Sequence, residues 1–331
     1  MPKPFNIHIE QPPQTEEIWQ KMEQARGPEP HGWYLNLSAL SLRELPEEIG
    51  SLTRLRHLNL SANELHHVPE YIGNLEGLTH LDLCYNELSA LPPSTARLTQ
   101  INTLKLSGNC FQNLPEPVRY MKTLRCLRLQ QNQVRALPDW VGDFIELREL
   151  DCSLNVLRKL PDSLRRLEAL TVLLAFQNRI GAMPEWLGEH TSLEWLSLDG
   201  NILKSLPPHF LRNRSIRLLT LSDNQFSALP EDIGQMRQIQ QLVLSHNRLS
   251  ELPGSIAEMT NLKRLDLRYN HFRRFPRALL DLPFFKPDLA FGGKQPRSRD
   301  KVVFLQGNPI EDVPYEVMQQ GMTAIRSYLN E

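Results

Sequence analysis

An asparagine returns every 23 residues along most of this chain, at Asn63, Asn86, Asn109, Asn132, Asn155, Asn178, Asn201, Asn224, Asn247 and Asn270, without a slip. Each closes a short run of alternating apolar residues, as in Leu58-Asn59-Leu60-Ser61-Ala62-Asn63. Each is followed at fixed distance by an apolar residue and a proline, from Val68-Pro69 to Phe275-Pro276. A period this short constrains the fold more than any other property. One such unit is too small to bury its own apolar face and must stack on its neighbours. A length of 331 residues would by itself allow two domains. The unbroken period argues instead for one array in which each unit touches only the next.

The residue types follow from that stacking. An L-x-L run is a short strand whose leucines face one way and whose intervening residue faces the other. The chain must then turn away and leave backbone groups without strand partners. An asparagine side chain offers an acceptor and two donors, so a buried ladder of them satisfies groups that would otherwise cost ~1–3 kcal/mol each. Proline presets φ and needs no donor, which suits the start of the returning segment. Acids follow it at Glu47, Glu70, Glu116, Asp139, Asp162, Glu185 and Glu231, where negative charge favours a first helical turn. The pattern L-x-x-L-x-L-x-x-N at this period resembles the leucine-rich repeat. The fold it implies is an α/β solenoid of about 12 rungs. It would be curved, with a parallel sheet on the concave face, short helical, 3-10 or extended segments on the convex face, and helical caps at both ends.

The consensus L-x-x-L-x-L-S-x-N-x-L-x-x-L-P-E-x-I-G is similar to the intracellular 23-residue class. That class includes the plant intracellular Ras-group-related repeat proteins and the repeat domains of bacterial Roco proteins. Met22-Glu23-Gln24-Ala25-Arg26, followed by Leu35-Asn36-Leu37-Ser38 and Leu45-Pro46-Glu47-Glu48-Ile49, resembles the N-terminal edge of bacterial cytosolic members. Gly307-Asn308-Pro309-Ile310 with the stretch Gln320 to Leu329 resembles the segment that ends such arrays before a GTPase domain. The resemblance implies protein binding, in small-GTPase signalling or as a scaffold. It leaves two alternatives: a targeting domain cut from a larger GTPase or other enzyme, and a secreted bacterial effector. Gly293-Lys294 is the only Gly-Lys pair and forms no P-loop, since Asp288 and Gln295 stand where glycine and a hydroxyl residue are required.

The organisation expected along the chain has four parts. Residues 1–13 form a loose tail. Residues 14–32 form an N-terminal cap, with a helix over Thr15 to Ala25 whose apolar residues Ile18, Trp19, Met22 and Ala25 recur at helical spacing. Residues 33–314 are the repeats, opening on a rung with Leu40 in place of the asparagine. His190 and Asn213 stand where other rungs have Leu52, Leu75 or Leu167, so looser convex packing is expected there. The final ladder residue, Asn308, comes 38 residues after Asn270, so fifteen residues are inserted within 282–301. With Lys286, Lys294, Arg297, Arg299 and Lys301 the insert reads as a basic surface loop. Residues 315–331 form the C-terminal cap, one helix from Tyr315 to Leu329.

A net charge of −1 is unlike the basic footprint of a nucleic-acid binder. No apolar run approaches the ~20 residues of a membrane span, and Met1-Pro2-Lys3-Pro4-Phe5-Asn6 lacks the apolar core of a secretory leader. Cys84, Cys110, Cys126 and Cys152 never share a column on adjacent rungs. No disulfide is expected, and the reading is a reducing, cytoplasmic compartment. No nucleophile elbow, His-Glu-x-x-His or Cys-x-x-Cys is present, so neither enzyme activity nor a cofactor is expected. His57, His80 and Asp82 meet across two strands, but three ligands on a flat sheet are poor for tetrahedral zinc. The candidate site is on the concave face. Val172, Leu174, Phe176, Trp195 and Leu218, with Leu154 alongside, are expected to point outward together as an apolar patch for a protein partner. Self-association is the competing use of that patch. Lys105, Arg128, Glu149 and Asp151 form a charged strip that would orient the partner.

Overall fold

The computed structural model describes residues 15–27, 33–282, 286–288 and 302–330. They divide into two compact units, one within residues 1–111 and 115–124, the other comprising 112–114 and 125–331.

In the first unit, helix α1 (Thr15–Ala25) buries Ile18, Met22 and Ala25 and leaves Trp19 partly exposed. Four parallel strands follow: β1 (Tyr34–Asn36), β2 (His57–Asn59), β3 (His80–Asp82) and β4 (Thr103–Lys105). Their register matches the sequence period, with Leu35, Leu58, Leu81 and Leu104 aligned and buried. Each strand is three residues long because the chain then turns sharply. The turn is left-handed: the residue before the ladder asparagine has positive φ at Ala62, Tyr85 and Gly108. Glycine adopts this conformation freely, whereas other residues pay roughly 1–2 kcal/mol. Gly108 has a second reason to be glycine, since an added Cβ would lie 2.5 Å from the Tyr85 ring.

The returning segments are 3-10 helices, at Glu47–Ser51, Glu70–Asn74, Pro93–Arg97 and Glu116–Tyr120. Each begins directly after the repeat proline, whose carbonyl accepts the first bond, as from Ile49 N–H to Pro46 O at 3.1 Å. Three residues per turn is the tightest helical return, and runs this short suit it.

The second unit continues the pattern with β5 (Cys126–Arg128), β6 (Glu149–Asp151), β7 (Val172–Leu174), β8 (Trp195–Ser197), β9 (Leu218–Thr220), β10 (Gln241–Val243) and β11 (Arg264–Asp266). Two more strands complete it, β12 (Lys286–Asp288) and β13 (Val302–Phe304). Strand β13 is the last rung and pairs with β11 in the repeat register. Strand β12 pairs on the far side of β13, with Lys286 opposite Val302. Part of the segment expected to be a basic loop is therefore an added strand on the end rung, which occupies hydrogen-bonding groups that would otherwise form an open edge. Lys294, Arg297, Arg299 and Lys301 lie outside the described residues, as does the expected tail 1–13. The C-terminal segment is also not one helix. It breaks into α2 (Tyr315–Gln319) and α3 (Met322–Asn330) at Gly321, where φ is 95°. Met318 and Ile325 are buried, while Val317 and Ala324 are half-buried and Tyr328 is exposed.

Packing on the returning side departs from expectation at two positions. Asn213 is not loose: it is buried, donates to Leu187 O and His190 O at 2.8 Å each, and accepts from Ser215 and Ile216 N–H at 2.9 Å. His190 is the opposite case, buried with neither ring nitrogen hydrogen-bonded. Burial pushes its pKa below the ordinary histidine value, outweighing the Leu167 backbone and Glu168, which favour the charged ring. The unfolded chain therefore binds this proton more readily than the folded one. The stability that His190 protects is intact above about pH 6.5 and falls as pH drops below it. His190→Leu, which restores the residue of neighbouring rungs, should raise stability by ~1–3 kcal/mol at neutral pH and flatten the loss on acidification. Urea midpoints of both proteins at about pH 7.5 and 5.5 check this.

Among the described residues, twelve strands in the two units follow the repeat register, none closing a barrel, each followed by a left-handed turn and most then by a 3-10 return. This is the leucine-rich repeat solenoid.

Candidate protein-binding face

The asparagines organise the face by holding the turns beside it. Asn86 Oδ1 accepts the Leu65 N–H at 3.1 Å, and its Nδ2 donates to Leu60 O at 3.0 Å and Leu83 O at 3.2 Å. The same set recurs at Asn63, Asn109, Asn155, Asn178, Asn201, Asn224, Asn247 and Asn270. Asn132 is buried and donates to Leu129 O at 3.0 Å. Asn308, half-buried on the last rung, accepts the Asn270 N–H at 3.1 Å and donates to Leu267 O at 2.9 Å.

A second column was not foreseen. The last strand residue caps its own turn: Asn36, Asn59, Asp82, Asp151 and Asp266 each accept the backbone N–H two residues on, at 3.0–3.3 Å. That role overturns one expected surface residue. Asp151 was placed in the charged strip, yet it is only 4% exposed and accepts the Ser153 N–H at 3.0 Å. Burial pushes its carboxyl up, against the Ser153 bonds and the charge of Arg128. The other strip residues form local pairs. Lys105 Nζ lies 3.1 Å from Asp82 in the first unit, and Arg128 Nε lies 2.8 Å from Glu149 in the second.

The apolar patch occupies the second unit. Strand register sets Val172, Trp195 and Leu218 side by side on β7, β8 and β9. Trp195 is 40% exposed; Val172, Leu174, Phe176 and Leu218 are half-buried. Leu154 joins them through its left-handed turn, with φ 54° and 41% exposure, and its N–H bonds Phe176 O at 2.8 Å. Leu174 occupies the turn-capping column but, being apolar, cannot make that bond. Asp199 borders the patch and accepts Ser197 Oγ at 2.8 Å, Ser222 N–H at 2.6 Å and the Thr220 hydroxyl. Its carboxylate is thereby occupied by neutral donors. Ser197 is buried by this arrangement, where its column suggested exposure.

On the first unit's strands, Tyr34, His57 and His80 form a row, Tyr34 edge-on to His57 with ring centres 6.3 Å apart and the two histidine rings tilted at 4.1 Å. Burial, then His57 and Lys105, push the His80 pKa down, and Thr79 Oγ1 sits 2.9 Å from its Nδ1. No cluster of three or more His, Cys, Asp or Glu side chains suited to a metal occurs among the described residues. Burial and then Asp82 push the Cys84 thiol up to about 12, and burial also pushes Cys152 up, so neither is an activated nucleophile. Among the described residues no helix is long and apolar enough to cross a membrane.

Residues 35–124 match the model of a leucine-rich repeat region, and residues 191–249 match that of the leucine rich repeat. No curated protein sequence matches the chain. A solved leucine-rich repeat protein of Leptospira interrogans is 27% identical with a TM-score of 0.68, covering 88% of this chain and 74% of its own. The plant peptide hormone receptor RGFR1, in complex with RGF2, is 28% identical with a TM-score of 0.60. That match covers 72% of this chain but only 44% of the receptor chain. The leucine-rich repeat domain of APL1B shares the fold at 20% identity and a TM-score of 0.66, over 92% of this chain and 82% of that one. Domains of this fold generally mediate protein–protein interaction and are typically scaffolds rather than enzymes. The sequence matches, the strand register and the likeness to these structures agree: this chain is a leucine-rich repeat protein.

Proposed function

We propose that this chain is a cytoplasmic protein-interaction module whose apolar patch, on the concave face of the second unit, binds a protein partner in a scaffolding or signalling role. One observation carries the reading. Val172, Trp195 and Leu218 lie in register on three adjacent strands, with Leu174 and Phe176 beside them, where the same columns elsewhere hold mostly polar residues. Exposed apolar clusters rimmed by polar groups mark interaction sites, and aromatic residues serve as their anchors. The peptide hormone bound by RGFR1 is one instance of a partner held by this fold. We read residues 14–32 and 315–331 as caps on the repeats at 33–314.

Site-specific photo-crosslinking tests this. A benzophenone amino acid at Trp195 should form an adduct with a different protein in lysate of the source organism. The same group at Ile145, 67% exposed and outside the patch, should not. Equal labelling at both positions, or none at Trp195, overturns the proposal, and an adduct with a second copy of the chain reassigns the patch to self-association.

A further inference from the structure

On the flank of the second unit, Gln133, Arg135, Val156, Arg158 and Arg179 line an open groove of ≈ 590 Å³. These residues lie one or three positions after a ladder asparagine on three consecutive rungs. We propose that this groove binds an acidic peptide segment of a protein, whose carboxylates pair with Arg135, Arg158 and Arg179. The surface is separate from the apolar patch and the proposal does not depend on it.

The argument begins in the first unit, where the same two columns are occupied differently. There a base three positions after the ladder position meets an acid one position after the next asparagine. Arg43 Nε is 2.9 Å from Glu64, and His66 Nδ1 is 3.3 Å from Glu87. In the second unit the bases remain but the acids are gone. The position that should answer Arg135 is Val156, and the one that should answer Arg158 is Arg179. All three arginines are exposed and none makes an ion pair among the described residues. That is unlike Arg125, Arg166 and Arg237, which pair with acids at 2.8–3.0 Å. Lys159 and Lys204 extend the run, and no Asp or Glu occurs in residues 133–136, 156–159, 179–182 or 202–205. Stacking guanidiniums on adjacent rungs with no counter-charge is unfavourable unless an anion completes the set.

The chemistry of the missing group selects the ligand. What each step lacks is one carboxylate, which Asp and Glu side chains supply with two acceptor oxygens matched to the guanidinium fork. Half-buried Val156 gives the groove an apolar floor that suits a peptide. A nucleic acid requires a broader basic field, and the chain as a whole carries a net charge of −1.

The test is fluorescence anisotropy of the full chain with fluorescein-labelled oligoglutamate as probe. Binding should weaken as salt is added. Arg158→Glu should lower the affinity at least about tenfold. Val156→Glu, which restores an acid opposite Arg135, should lower it as well. Arg248→Glu makes the same charge change in the column of Arg179 but outside the groove, on an exposed residue, and should leave affinity unchanged. Absence of binding overturns the proposal, as does equal loss in Arg248→Glu. Tighter binding of a single-stranded oligodeoxynucleotide, lost in Arg158→Glu, overturns it in favour of nucleic acid.

Discussion

Asn178→Ala should lower the free energy of unfolding by about 3 kcal/mol. Asn178 Oδ1 accepts the buried Leu157 N–H at 2.9 Å, and Nδ2 donates to Cys152 O at 3.0 Å and Ala175 O at 3.1 Å. The two carbonyls retain a second asparagine, since Asn155 also donates to Cys152 O and Asn201 to Ala175 O. The Leu157 N–H has no such reserve. Truncation strands a donor that water cannot reach and weakens two acceptors, which together account for the expected loss. Gln177 sits next in sequence on the same turn with its side chain exposed. Gln177→Ala should therefore stay within about 0.5 kcal/mol. Urea denaturation of both variants checks the pair, and equal midpoints would remove the ladder from the account of stability. Ser197 would not serve as such a control, because it is buried against Asp199.

The parts of the fold that were legible in the sequence are those with a repeated chemical demand. A buried acceptor-and-donor side chain is needed once per turn, and only asparagine recurs there. The inward leucines and the proline before each return are equally periodic. The left-handed column was harder to see, because Tyr85, Leu154, Gln177, His246 and Tyr269 share it with Gly108, Gly200 and Gly307. The three glycines were its only sequence signal, and the surrounding structure holds the other residues in a conformation that they disfavour alone. Alternation also misled at Asp151 and Ser197. It gives the direction of a Cβ, while burial depends on whether the side chain folds back to its own turn, as the Asp151 carboxylate does on Ser153. The added strand Lys286–Asp288 broke the period, so no column predicted it. The break at Gly321 was visible as a glycine, but helical spacing of Val317, Ala324 and Ile325 runs across it. In the candidate site, register alone located the patch, since every one of its strand residues follows from counting 23 along the chain. It did not reveal that Leu154 reaches the patch through a left-handed turn.

Phe176→Ser combined with Trp195→Ser has the other large expected effect, and it falls on binding rather than folding. Trp195 is partly exposed and Phe176 half-buried on the strand face, so their removal leaves no cavity in the core. A fully buried ring such as Phe226 is different, and Phe226→Ala should cost ~3–5 kcal/mol. At an interface centre each aromatic anchor contributes ~2 kcal/mol or more by truncation. The double variant should accordingly bind the protein crosslinked through position 195 more than about thirtyfold more weakly, while its stability falls by no more than about 1 kcal/mol.

Isothermal titration of that partner into the wild-type and double-variant proteins, each with its urea midpoint recorded, is the most direct measurement. The account predicts a near-unchanged midpoint with affinity reduced more than about thirtyfold. A folded double variant that binds with wild-type affinity would contradict it, and so would one that unfolds like Phe226→Ala.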